Sequence, residues 1–158
     1  MKILITGASG FIGSNLLEFL NKKKFSVTGL SNSRNNNYSV NSFSLLSKKK
    51  INQFFHEHDF DFVIHLGASL EELNSINTFK KNCQTTINLL NACVDAKIKK
   101  FIYASSHVVY DLPNYLPIDE NHQLNPITNY AVSKLINENI CKLFSQYNIN
   151  FTILRISS

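Results

Sequence analysis

Residues 1–13 read Met1-Lys2-Ile3-Leu4-Ile5-Thr6-Gly7-Ala8-Ser9-Gly10-Phe11-Ile12-Gly13. A short apolar run passes into glycines at every third position, and a stretch follows in which Leu16, Leu17 and Leu20 recur at helical spacing. The run has the length of a buried strand and the leucines mark an amphipathic helix, so the glycines occupy the turn between them. Each has its own steric reason to be there. Gly7 can take the tight turn, Gly10 lets a ligand approach the backbone, and Gly13 allows close helix–strand packing. The free amide groups at the start of the helix then face outward and suit an anion, a pyrophosphate in particular. This arrangement predicts a dinucleotide site on Gly7, Gly10 and Gly13; the alternative is a tight turn that holds no ligand.

Outward from that turn, the 158 residues alternate between strand-like and helix-like segments. Strands are expected over 3–5, 26–30, 62–66, 101–105 and 151–156, with a short one over 38–44. Helices are expected over 14–24, 47–58, 75–96 and 129–147, the third with Phe79, Ile87, Leu90 and Val94 as its apolar positions. Near-continuous apolar strands separated by helices imply a parallel sheet covered on both faces. The fold class is therefore α/β: a Rossmann-type, doubly wound parallel sheet in three α/β/α layers, forming one domain over residues 1–158. Ligands of such sheets bind beyond the carboxyl ends of the strands, which is where functional residues are sought.

The composition fits a packed domain, with 44% hydrophobic and 17% charged residues. The net charge of +5 comes from lysines in short runs at 22–24, 48–50, 80–81 and 99–100. Such runs belong to helix ends and solvated faces, and no nucleic-acid recognition motif accompanies them; an anionic substrate or cofactor explains the bias at least as well. Cys83, Cys93 and Cys141 have neither metal-ligand nor CxxC spacing, so no metal is expected and buried free thiols in a reducing cytoplasm are. The first apolar run is too short for a signal peptide, and no stretch is long enough to span a membrane.

Strand two runs into Val27-Thr28-Gly29-Leu30-Ser31-Asn32-Ser33-Arg34. In many dinucleotide folds an acidic residue here binds the adenosine ribose 2′-OH. None is present, and Ser31 with Arg34 would welcome a 2′-phosphate, so the reading leans to NADP over NAD. The alternative for Arg34 is an ordinary loop arginine. Further on, Tyr130 and Lys134 stand four apart on a helical pattern and share a face. A nearby ammonium favours a phenolate, so Lys134 is expected to lower the Tyr130 pKa towards that of a usable base.

Taken together, TGASGFIG (6–13), FVIHLGAS (62–69), Asn82 with its helix, FIYASSHVVYD (101–111), 117–120, NPITNYAVSK (125–134) and ILR (153–155) follow one another over nearly the whole chain. In this order they resemble the extended short-chain dehydrogenase/reductase family, in its nucleotide-sugar epimerase/dehydratase group. The resemblance implies an NAD(P)-dependent epimerase or ketoreductase that transfers hydride at a sugar carbon of a nucleotide-sugar substrate. Tyr130 would be the general acid/base. Ser106 would hold the substrate oxygen, with Ser105 as the alternative. Lys134 would bind the nicotinamide ribose. Phe11 and Ile12 would lie beside the pyrophosphate, and Leu66, Gly67 and Ala68 would line the adenosine side. Asn82 would be a polar support near the sheet's centre, or else a helix-surface amide.

The chain also departs from the family. Ser42-Phe43-Ser44 stands where an Asp-rich turn normally touches adenine, and HLGAS replaces the commoner HLAA. His107 and Val108 follow Ser106 where sugar dehydratases carry an Asp-Glu pair, so dehydration is not expected; His107 reads as a packed or solvated strand-end histidine, the alternative being a substituted acid/base. His56 and His58 are two apart, share no helix face and are not expected to be ligands. The chain stops after the last matched strand, short of the family's substrate domain, so it reads as a cofactor-binding half. The rival readings are a dinucleotide-binding module without turnover, and an interaction protein whose unpaired last strand drives self-association, as in a homodimer.

Overall fold

The computed structural model describes residues 1–32, 40–70 and 73–157. Six strands, β1 (Lys2–Thr6), β2 (Ser26–Ser31), β3 (Val40–Ser42), β4 (Phe62–His65), β5 (Lys100–Ser106) and β6 (Asn150–Ile156), form one sheet in the order β3-β2-β1-β4-β5-β6. Every pairing is parallel, and Ile5 sits level with both Gly29 and Ile64. The order reverses between β1 and β4, so the crevice of a doubly wound sheet opens above their carboxyl ends.

Among the described residues four helices cover the sheet: α1 (Phe11–Lys22), α2 (Lys48–Glu57), α3 (Ile76–Asp95) and α4 (Asn129–Phe144). Leu17 of α1 packs with Ile3, Ile5 and Ala8 on one face. On the other, Ile51, Phe54 and Phe55 of α2, Leu89 and Leu90 of α3 and Cys141 of α4 close over Leu4, Val63, Phe101 and Tyr103. Burying both faces explains why the strands are apolar at successive positions instead of alternating. Among the described residues no helix is long and apolar enough to cross a membrane.

Four details differ from the sequence reading. Helix α1 begins at Phe11, three residues early, because Gly10 caps it with an extended backbone and its carbonyl takes the Ser14 amide at 2.9 Å. On α3 the buried face runs through Asn82, Thr86, Leu89, Leu90 and Cys93, while Phe79, Ile87 and Val94 are half-exposed. The reason is the close approach of α4, which small and polar side chains permit. Helix α4 gives way at Ser145 to a 3₁₀ turn that ends on Asn148 in the left-handed region. Within the described residues the short third strand is reduced to Val40–Ser42, and Arg34 lies outside them. Among the described residues strands β3 and β6 lie at the two edges of the sheet, and Leu154 of β6 is 46% exposed.

Candidate active site

A cleft of about 780 Å³ opens above β1, β2, β4 and β5. Its floor is the glycine turn. Gly7 has φ +72°, and a Cβ there would lie 2.7 Å from the Gly67 amide nitrogen. A Cβ on Gly13 would lie 2.2 Å from the Gly7 carbonyl oxygen. Gly10 is different: a Cβ would meet only the Gly7 oxygen, at 3.3 Å. Packing within the chain therefore demands two of the glycines, and the third leaves open a concave backbone surface at a helix start. A pyrophosphate fits that surface. Phe11 and Ile12, 87% and 45% exposed, stand in the first helical turn beside it.

The walls are tied to this floor. The Ser9 and Ser31 hydroxyls hydrogen-bond to each other, joining the turn to the end of β2. The Leu66 amide donates to the Thr6 carbonyl at 3.2 Å, so Leu66, Gly67 and Ala68 enter the wall directly after β4. Asn82 is buried: its Oδ1 accepts the Ser69 amide at 2.7 Å, and its Nδ2 donates to the Ser69 carbonyl at 3.2 Å and to Ser133 Oγ at 3.3 Å. The surface-amide alternative is therefore excluded. Asn82 braces the post-β4 loop against α4.

His65 carries a role that sequence reasoning missed. It is buried beneath the floor, with Nδ1 2.6 Å from Thr6 Oγ1 and Nε2 3.1 Å from Thr86 Oγ1. Thr86 Oγ1 donates to the Asn82 carbonyl at 3.0 Å, which leaves it an acceptor towards His65. The ring is then neutral with its proton on Nε2, and burial, with Lys134 nearby, holds its pKa down at about 3. The available signal was a lone imidazole in the otherwise apolar strand FVIHL.

Helix α4 delivers the other reactive groups. Thr128 caps it by accepting the Ala131 amide at 3.0 Å, and the Tyr130 amide donates to the Leu73 carbonyl at 2.9 Å. Lys134 is 4% exposed, and its Nζ donates to the Ala104 carbonyl at 2.6 Å. It stands 5.1 Å from the centroid of the Tyr103 ring and 5.6 Å from that of Tyr130. Burial pulls its pKa down to about 8, against the pull of Glu138. The expected lowering of the Tyr130 pKa is not found: burial pushes the phenol up. In the protein alone, desolvation of a half-buried phenol outweighs an ammonium that is itself buried and engaged with a carbonyl.

Strand β5 ends in two serines with different surroundings. Ser105 is buried and donates to Glu138 Oε1 at 2.5 Å. Ser106 is half-buried, lines the cleft, and accepts a long 3.4 Å contact from the Val108 amide. Both serines line the cleft; Ser106 is the more exposed, and Ser105 is the one whose hydroxyl is committed to Glu138. His107 is exposed, also lines the cleft, and donates towards the Ile156 carbonyl at 3.3 Å.

All the expected site residues that lie among the described ones line this single cleft, and the charged side chains on its wall are Lys81 and Lys134, with no carboxylate among the described residues. That balance suits an anionic ligand. The lean to NADP loses footing, because the Ser31 hydroxyl is occupied by Ser9 and Arg34 lies outside the described residues.

Comparison with known proteins agrees with this geometry. The model of the NAD dependent epimerase/dehydratase family matches residues 3–158. A UDP-glucose 4-epimerase of Yersinia enterocolitica is 32% identical over 97% of the chain and 51% of its own length. Among solved structures, the Thermus thermophilus UDP-glucose 4-epimerase in complex with NAD superposes with a TM-score of 0.87 at 26% identity, over 98% of this chain and 54% of that one. The Thermotoga maritima UDP-glucose 4-epimerase with UDP-glucose gives 0.87 at 26%, over 98% and 55%. The chain spans about half the length of these relatives.

Proposed function

We propose that this chain, which belongs to the NAD dependent epimerase/dehydratase family, holds NAD in the cleft above β1 and β4 and provides the acid/base groups for hydride exchange at a carbon of a nucleotide sugar, a UDP-sugar in the first instance. The observation that carries this reading is the convergence of the glycine cradle with Ser106, Tyr130 and Lys134 on one cavity.

Gly7, Gly10 and Gly13 with the start of α1 would take the pyrophosphate. Leu66, Gly67 and Ala68 would face the adenosine, and Lys134 the nicotinamide ribose. Bound NAD supplies the hydride acceptor and donor. Tyr130 would take the proton from the sugar hydroxyl as it becomes a ketone and return it on reduction, the positive charge of the bound oxidised nicotinamide adding to that of Lys134 to favour the phenolate, while Ser106 would donate a hydrogen bond to the same oxygen. We take NAD over NADP because the family is NAD dependent and the Thermus enzyme carries NAD.

Calorimetric titration with NAD and NADP, followed by NMR of UDP-glucose incubated with the protein, tests the proposal. NAD binding and conversion to the 4-epimer are expected. Binding without conversion would leave a dinucleotide-binding module. No binding of either dinucleotide at millimolar concentration would remove the reading altogether.

A further inference from the structure

Glu138 is 1% exposed, one helical turn beyond Lys134 on α4. Its Oε1 accepts from Ser105 Oγ at 2.5 Å and from Arg155 Nε at 3.0 Å, and its Oε2 accepts from Arg155 Nη2 at 2.8 Å. Arg155 is held in turn by Tyr110, whose hydroxyl accepts from Nη1 at 2.7 Å and whose ring centroid lies 4.9 Å from the guanidinium carbon. Ser105 follows Ala104, the residue whose carbonyl accepts the Lys134 ammonium at 2.6 Å. The contacts close a circuit: from Lys134 to the Ala104 carbonyl, along β5 to the Ser105 hydroxyl, across to Glu138, and back along α4 to Lys134.

We propose that Glu138 is a positioning residue that acts through Lys134: by gripping Ser105 it fixes the carbonyl to which the ammonium is bonded, and by its charge it keeps that ammonium protonated in a buried place. The inference rests on the functional reading of Lys134 given above. Among the described residues, the titratable groups facing Lys134 are Tyr130 and Glu138 on its own helix, Tyr103 on β5 and His65 on β4. His65 is neutral, both tyrosines are protonated at neutral pH, and Arg155 is spent on Glu138. Glu138 is thus the one anion in this set, and a carboxylate opposing desolvation raises the pKa of an amine. A brace serving stability alone could be replaced without any effect on Lys134.

The test is the pH dependence of Lys134 acetylation by acetic anhydride, read by peptide mass spectrometry on the intact 158-residue chain. In the unmodified protein the midpoint is expected near 8. In Glu138→Gln, folded by circular dichroism, it falls by roughly one pH unit, so that Lys134 labels faster at neutral pH. If the single variant does not fold, Glu138→Gln with Arg155→Gln leaves no unpaired buried charge, and a downward shift is still required of it, smaller because a cation leaves with the carboxylate. An unchanged Lys134 midpoint in either folded variant overturns the inference. This readout needs no ligand, so failure of the unmodified chain to bind NAD would remove the functional reading and leave the Glu138–Lys134 coupling separately decided.

Discussion

The Lys134 ammonium stands 5.6 Å from the centroid of the Tyr130 ring, and both side chains face the cleft floored by the glycine turn. The pair is already formed in the protein alone, and Lys134 is held by the Ala104 carbonyl, not by the phenol. A buried amine with one hydrogen bond costs stability, so its reason for being there lies in what it binds.

Lys134→Met should therefore separate binding from stability. NAD affinity is expected to fall about tenfold, about 1.4 kcal/mol, by calorimetry. The urea midpoint at neutral pH should hold or rise, because a desolvated charge is replaced by an apolar chain of similar length. The folded pKa lies below the unfolded one, so the unfolded chain binds the extra proton between about 8 and 10.5. The penalty is complete below pH 8 and is relieved as pH rises through that window. The variant should lack this alkaline relief, and an equal rise in both proteins would contradict it.

The glycines should divide in the same manner. Gly13→Ala drives a Cβ to 2.2 Å from the Gly7 carbonyl oxygen and 2.8 Å from the Ala8 Cα, both backbone, and should destabilise by about 3 kcal/mol or more. Gly10→Ala has only the 3.3 Å contact and a backbone that alanine adopts freely (φ −76°, ψ 171°), so its cost should stay under about 1 kcal/mol. Its NAD affinity should nonetheless drop at least about tenfold, if the open space belongs to a pyrophosphate. Thermal melts paired with calorimetry read both quantities.

His65 predicts an acid-labile fold. Its pKa is held at about 3, against 6.5 when exposed, by burial and by Lys134. Below pH 6.5 the unfolded chain takes up a proton that the folded one refuses, so stability falls steadily as pH drops from 6.5 towards 3. His65→Gln keeps hydrogen-bonding capacity without the titration, and its urea midpoint should depend less on pH across that window. Identical slopes in the two proteins would assign the acid lability elsewhere.

The legible parts of the sequence were those governed by period and backbone sterics. Strand–turn–helix context around Gly7, Gly10 and Gly13 located the floor, and the four-residue spacing of Tyr130 and Lys134 gave their shared face. Partner choice in the buried polar layer was not legible. Nothing local distinguishes Ser105, which gives its hydroxyl to Glu138 33 residues away, from its neighbour Ser106. The His65 chain depends on Thr6 and Thr86, 59 and 21 residues distant, meeting at one ring. The sign of the Tyr130 shift failed for the same reason: spacing reveals a nearby charge but not the burial that outweighs it. Helix α3 shows the limit of apolar periodicity, since contact with α4 selects small and polar residues for its inner face over Phe79 and Ile87.

The two adjacent serines give the most direct test of which hydroxyl serves the reacting oxygen. Ser105→Ala removes a donor from a carboxylate that is 1% exposed, leaving part of Glu138 unsatisfied, and should cost about 1–3 kcal/mol of stability. Ser106→Ala removes a half-buried hydroxyl whose contact with the Val108 amide is 3.4 Å long, and stability should move by no more than about 0.5 kcal/mol. In a UDP-sugar turnover assay the order should invert: Ser106→Ala loses about a hundredfold or more, the cost of one donor to a developing oxyanion, and Ser105→Ala much less. Strand alternation sends neighbouring side chains to opposite faces, so Ser105 meets Glu138 of α4 while Ser106, also on the cleft wall, does not share that partner. If Ser105→Ala proved the slower enzyme at equal stability, that assignment of faces to roles would have to be exchanged.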